Sequence, residues 1–140
     1  MATKNTTFRL DVKTSKWQEA VLITDEIRKI IKESQIKDGV CYLNIPHSTA
    51  GITVNSYLDP DTSNDMNFEI NRLIPTRIDF MHIRDTPTDA SGHIKSSLIG
   101  IDLVLIIENG DFIFGRSQGI FFWEFDGPRD RQVIIKIIEG

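Results

Sequence analysis

Leu103-Val104-Leu105-Ile106-Ile107, Asn109-Gly110, Phe112-Ile113-Phe114, Ile120-Phe121-Phe122-Trp123-Glu124-Phe125, Gly127-Pro128 and Val133-Ile134-Ile135-Lys136-Ile137-Ile138 follow one another through the last third of the chain. Each apolar run is short and rich in branched or aromatic side chains, which suit a pleated, half-buried surface better than a helix. Turn residues separate the runs, and Asn-Gly is a strong signal for a tight hairpin. This third reads as β structure.

Upstream, Phe8, Leu10 and Val12 alternate with Arg9, Asp11 and Lys13, the period of a strand with one buried face. Residues 19–23 read as a second strand. Thr24 then suits a helix cap, with Asp25 and Glu26 in the first turn, where carboxylates oppose the positive end of the helix dipole. Ile27, Ile30 and Ile31 recur at helical spacing, and the helix is expected to stop near Gln35. Residues 40–45 and 51–55 are further strands. Asp59-Pro60-Asp61 starts a second helix, with Met66, Ile70 and Leu73 as its apolar stripe and Pro75 as its end. Residues 77–91 have no period, residues 92–99 read as a short helix, and Gly100 closes it.

Helices lie among hairpins instead of following every strand. The expected class is α+β, a mostly antiparallel β-sandwich-like core with two or three helices. The 140 residues contain no repeat, linker or low-complexity segment, so residues 1–140 are expected to form a single domain.

Sixteen basic and 20 acidic residues give a formal net charge of −4, against the basic face that non-specific nucleic-acid binding requires. No apolar run reaches the roughly 18 residues of a membrane-spanning helix. The polar N-terminus lacks the apolar region of a secretion signal. Cys41 is the single cysteine, which excludes an intramolecular disulfide and fits a reducing compartment. A cytoplasmic protein without nucleic-acid or membrane partners is expected.

Three histidines occupy loop-like positions: His47 after Pro46, His82 in the aperiodic segment and His93 at the short helix. None falls on an apolar stripe. Either they are unrelated surface groups or they converge as zinc ligands or an acid/base set; no HExxH or CxxC spacing decides it. Ser91-Gly92-His93-Ile94-Lys95-Ser96-Ser97 offers backbone N–H groups, hydroxyls and an ammonium at a helix start, which suits phosphate but also describes a plain capped helix. Arg129 and Arg131 beside the Gly127-Pro128 turn match phosphate bidentately, or are surface charge.

Pro46-His47-Ser48-Thr49-Ala50-Gly51-Ile52-Thr53-Val54-Asn55, then Asp59-Pro60-Asp61, then Ser91 through Gly100, then Gln118-Gly119-Ile120 and Glu124-Phe125-Asp126-Gly127-Pro128-Arg129 occur in order. Together they resemble the YjbQ-like family, also called the secondary thiamine-phosphate synthase family, from the first strand to the last residue. The resemblance implies a compact α+β fold, assembly as a homotrimer, and recurring histidine positions at His47, His82 and His93. Two departures stand out. Ser117 occupies the place where the family usually has tryptophan, and Ser56 the place of a glutamate.

The expected site therefore has His47, His82 and His93 as catalytic residues and as ligands of a divalent metal, zinc first. Three imidazoles leave a fourth position open for water or substrate. Ser48, Thr49, Asn55, Lys95, Ser96, Gln118 and Arg129 are expected to bind substrate or phosphate. The implied reaction couples a pyrimidine methyl diphosphate to a thiazole phosphate with loss of pyrophosphate, whose departing charge needs cations nearby. Two functional classes follow: an enzyme acting on a phosphorylated small molecule, or a non-catalytic metal- or metabolite-binding homo-oligomer. The C-terminal strands also place bulky groups on both faces, and the face not used by the core needs a helix or another subunit over it.

Overall fold

The computed structural model describes residues 6–140; the polar lead at 1–5 lies outside the described residues. Eight strands and three helices follow the order β1 (Thr7–Lys13), β2 (Glu19–Leu22), α1 (Thr24–Ser34), β3 (Gly39–Asn44), β4 (Ala50–Ser56), α2 (Pro60–Leu73), α3 (Asp89–Ile99), β5 (Asp102–Glu108), β6 (Asp111–Phe112), β7 (Gln118–Glu124) and β8 (Asp130–Glu139). The strands form two antiparallel sheets, β1-β8-β3-β5-β6 and β2-β7-β4, the α+β class that the pattern predicts.

The period-two pattern of β1 is used as read. Phe8, Leu10 and Val12 join Leu43, Leu105, Val133, Ile135 and Ile137 in the main core, which Ile27 and Ile31 of α1 close from outside the sheets. Strand β7 is buried on both faces. Ile120 and Phe122 enter the main core, while Trp123 packs with Phe125 and Ile70 in a second core beneath the helices. The helices thus cover the second face of the aromatic run. Asn109 and Gly110 turn the chain from β5 to β6 with φ of 53° and 80°, the double positive φ that a type I′ hairpin requires.

Four local expectations need correction. Thr24 does not cap α1: Ile23 holds that position, and the Thr24 hydroxyl accepts the Ile120 N–H at 2.9 Å, tying the helix to β7. Leu73 is 57% exposed, so Ile70 alone on α2 is fully buried. Strand β6 spans two residues because pairing with β5 stops at Asp111 and Phe112. Helix α3 begins at Asp89, three residues before Gly92, which changes what its residues face.

Gly39 opens β3 where β8 passes closest. A Cβ there would lie 2.1 Å from the Ile138 carbonyl oxygen, so the backbone must move to admit one. Gly39→Ala is expected to destabilise by about 1–3 kcal/mol or more, as overpacking does. Urea unfolding checks it, and an unchanged midpoint would show that the two strands separate freely.

Candidate metal centre

Asp89 and His93 are four residues apart on α3 and so share one helix face. The Asp89 carboxylate is buried. Its Oδ2 lies 3.2 Å from His93 Nε2 and makes a short contact with His82 Nε2. The three ligand atoms all lie within 4.8 Å of one another, and the two rings meet edge to face with centroids 5.2 Å apart. Asp85 Oδ2 stands 3.4 Å from His82 Nε2.

His93 Nδ1 lies 3.1 Å from the Ser48 carbonyl oxygen, an acceptor, so that nitrogen carries the proton and donates. In the neutral ring, Nε2 is then a lone pair aimed at a carboxylate oxygen. Two acceptors in that position require a proton or a cation between them. A backbone carbonyl orienting the ring of a histidine ligand through its other nitrogen is the usual support of a metal site. The donor set, two imidazoles and a carboxylate, fits zinc with a position left open.

The segment carrying His82 is fastened from below. Asp126, 2% exposed, accepts hydrogen bonds from the Thr86 and Thr88 hydroxyls on one oxygen and from Arg129 Nη2 at 2.9 Å on the other. Burial alone would raise the Asp126 carboxyl, but these donors outweigh it and hold it below the usual carboxylate range. Arg129 Nε also donates to the Asp126 carbonyl oxygen at 2.8 Å, and its bond to the carboxylate raises the guanidinium further. Arg129 therefore positions the loop; only the part of its fork facing solvent remains for a ligand.

His47 stands apart from the donor cluster. Its Nε2 accepts the Gln132 backbone N–H at 2.9 Å. Burial first, then the Arg131 charge, lowers its pKa, so the ring is neutral at pH 7 with its proton on Nδ1. Neither nitrogen then offers a metal a lone pair, and Asp89 takes the third place expected of His47. His47 and His93 nevertheless line one cavity of about 340 Å³ together with Ser48, Ser96 and Ser97. On its other side His93 joins His82, Phe80, Met81, Ala90 and Ile94 around a more apolar cavity of about 470 Å³.

The expected phosphate cradle at Gly92 is corrected by the earlier start of α3. The Gly92 N–H donates to the Thr88 carbonyl at 2.8 Å within the helix, and no free first turn exists there. Ser96 is buried and donates to the Ala50 carbonyl at 2.7 Å. Lys95 is fully buried; its Nζ donates to Gln18 Oε1 at 2.8 Å and Asn71 Oδ1 at 2.6 Å and lies 5.1 Å from the Trp17 ring centre. Burial draws its pKa down to about 8. Lys95 holds α3 in place instead of facing a ligand, and Ser96, at the wall of the cavity beside His93, spends its hydroxyl proton on Ala50.

Thr49 is likewise buried, its hydroxyl accepting from Arg131 Nη2 at 2.8 Å. Ser48 contributes its carbonyl to His93. Asn55 and Gln118 sit at the opposite end of the β4–β7 pair from Ala50 and Glu124. Five steps for Asn55 and six for Gln118 span roughly 17–20 Å along a strand, so within one chain they do not reach the histidines.

A model of the family "UPF0047 protein YjbQ-like" matches residues 8–140. A UPF0047 protein of Methanocaldococcus jannaschii is 44% identical over 131 residues, covering 94% of this chain and 93% of its own. The UPF0047 protein YugU of Bacillus subtilis is 39% identical over 129 residues, covering 92% of this chain and 96% of its own. A crystal structure from Clostridium acetobutylicum, described as an uncharacterized conserved protein of the yjbq/upf0047 family, superposes with a TM-score of 0.88 at 40% identity, covering 94% of this chain and 99% of that one. A YbjQ-like protein of unknown function from Sulfolobus solfataricus gives a TM-score of 0.89 at 28% identity, covering 96% of each chain.

Proposed function

From the YjbQ-like UPF0047 family, to which this chain belongs, we propose an enzyme acting on a phosphorylated small molecule at a His82–Asp89–His93 metal centre. The observation that carries the reading is a buried carboxylate flanked by two imidazole nitrogens, beside two cavities large enough for a small substrate. A bound zinc ion would supply a Lewis acid that offsets charge developing on a departing phosphate or diphosphate. Asp89 and the histidines hold it; the Ser48 carbonyl orients His93; Asp126 and Arg129 fasten the loop that brings His82. Ser48 and Ser97 line the cavity beside His93; the Ser97 hydroxyl donates to the His93 carbonyl at 3.0 Å, so the Ser48 hydroxyl is the donor that suits a phosphorylated ligand's oxygens.

The reaction proposed first is thiamine-phosphate formation, carried only by the family resemblance. Zinc titration of the purified protein followed by a pyrophosphate-release assay with the two thiamine precursors tests the reading. Metal-dependent release that is lost in His93→Ala supports it. Tight zinc binding with no turnover on any phosphorylated substrate overturns the enzyme and leaves a metal-binding protein. Failure to bind any divalent metal overturns the centre itself.

The proposal includes a homotrimer. The outer face of the five-stranded sheet carries Tyr42, Val104, Ile106 and Ile138 at 44%, 52%, 52% and 46% exposure. Tyr42 pairs with Val104, and Val40 with both Ile106 and Ile138, so the group is continuous. A contiguous apolar face of this kind is normally covered. Light scattering is expected to give three times the single-chain 16.0 kDa; a mass near 16.0 kDa refutes the assembly. Among the described residues no helix is long and apolar enough to cross a membrane.

A further inference from the structure

The far end of the β4–β7 pair, roughly 20 Å from its Ala50–Glu124 end, carries a third cavity. It measures about 490 Å³ and is enclosed by the start of α1, by β6 and by the turn leading into β7. Its volume falls in the range of small-molecule sites. Phe112 and Phe114 stack beside it with ring centroids 5.1 Å apart, and Leu22 and the Tyr57 ring complete the apolar walls.

The charged groups around it are unequally committed. Arg28 Nε donates to Asp111 Oδ1 at 2.9 Å, and Arg28 Nη1 lies 3.7 Å from Asp25 Oδ1, so one guanidinium answers both carboxylates. The Asp111 carboxyl stays ionised: burial works against it, but Arg28 and the Phe112 N–H lower its pKa. Arg116 has no partner among the described residues, although it lines the same cavity. Gln118 Oε1 accepts the Gly115 N–H at 2.7 Å, which leaves its amide N–H groups as donors. The uncommitted polar groups are therefore a cation and donors, set against aromatic walls.

We propose that this cavity is a second ligand site, taking a planar aromatic molecule with an anionic substituent. The ring would lie against Phe114, Leu22 and Tyr57, and the anion would meet Arg116 and the Gln118 amide. The site is independent of the metal centre, sharing no residue with it, and it stands whether or not that centre is catalytic.

Phenyl phosphate is a minimal probe, titrated into the wild-type protein with backbone amide shifts as the readout. Saturable shifts centred on Leu22, Tyr57, Phe114 and Arg116 are expected at millimolar probe. Arg116→Ala, a surface change that spares the fold, should weaken binding by about tenfold or more, the loss of a charge-assisted contact. His93→Ala should leave it unchanged. Inorganic phosphate alone should bind at least about tenfold more weakly; equal affinity overturns the aromatic part of the assignment. Shifts at the histidines would report the metal-centre cavity and are read separately; absence of saturable shifts at Leu22, Tyr57, Phe114 and Arg116, or full affinity at these residues in Arg116→Ala, overturns the site.

Discussion

Arg131→Met is expected to destabilise the protein by about 3–5 kcal/mol, the cost of leaving a buried charge without its partner. Arg131 and Glu124 side chains are 5% and 0% exposed. Arg131 Nε donates to Glu124 Oε1 at 2.9 Å, and that oxygen also accepts the Thr14 hydroxyl at 2.8 Å. Glu124 Oε2 accepts the Phe125 and Asp126 N–H groups at 3.1 and 3.2 Å. Glu124 ends β7 in the three-stranded sheet and Arg131 lies on β8 in the five-stranded one, so the pair pins the two sheets where the chain crosses between them. Methionine keeps most of the volume and removes the charge, which isolates the electrostatic cost from a cavity. The expected fall in Tm is about 10 °C or more, since 1 kcal/mol moves a domain of this size by roughly 2–4 °C or somewhat more. Adding Glu124→Gln should recover part of the loss, because a glutamine oxygen still accepts the two backbone N–H groups without carrying charge. A cost below about 1 kcal/mol for Arg131→Met, or no recovery in the double variant, would show that the pair does not join the sheets.

Strand alternation in β1, the branched runs of β5 and β8, and the Asn109-Gly110 turn were readable because they depend on local chemistry: period, propensity and the sign of φ. The helix stripe of α1 was readable for the same reason. The start of α3 was not. Residues 89–91 carry no apolar periodicity, and the helix extends over them because Asp89 and Ser91 find tertiary partners in His82 and Thr76. That short extension decided the site. With the helix read from Gly92, the four-residue spacing of Asp89 and His93 on one helical face is invisible, and Gly92, Lys95 and Ser96 seem to lie at a free first turn. With the helix beginning at Asp89, the Gly92 N–H is spent on Thr88 inside it, and Lys95 and Ser96 meet Gln18, Asn71 and Ala50. Asp126 and Glu124 escaped for a different reason: partners such as Thr14, Thr86 and Arg131 become neighbours only through the fold.

Asp89→Asn is expected to weaken zinc binding by more than about 100-fold, beyond the 10–100-fold that removal of a supporting residue usually costs. The substitution keeps the shape of the side chain and replaces the carboxylate that faces both ring nitrogens. Zinc at 100 times its dissociation constant should stabilise the wild type by about 2.7 kcal/mol and leave the variant unmoved, so thermal shift with and without metal reads the effect alongside calorimetry. Asp126→Asn is the graded comparison. It loosens the Thr86 and Thr88 anchors of the His82 loop without touching a ligand, and its loss belongs within the 10–100-fold range. His47→Ala separates the two donor sets that this chain permits. Because His47 Nε2 is committed to the Gln132 N–H, its removal should leave zinc affinity within about twofold of wild type, although it opens a gap beside β8. If His47→Ala lost as much affinity as Asp89→Asn, the centre would be the three-histidine one that the family resemblance implies, with His47 turning away from Gln132 to reach the ion. If instead only Asp89, His82 and His93 matter, the carboxylate on the first turn of α3 is the ligand that organises the site.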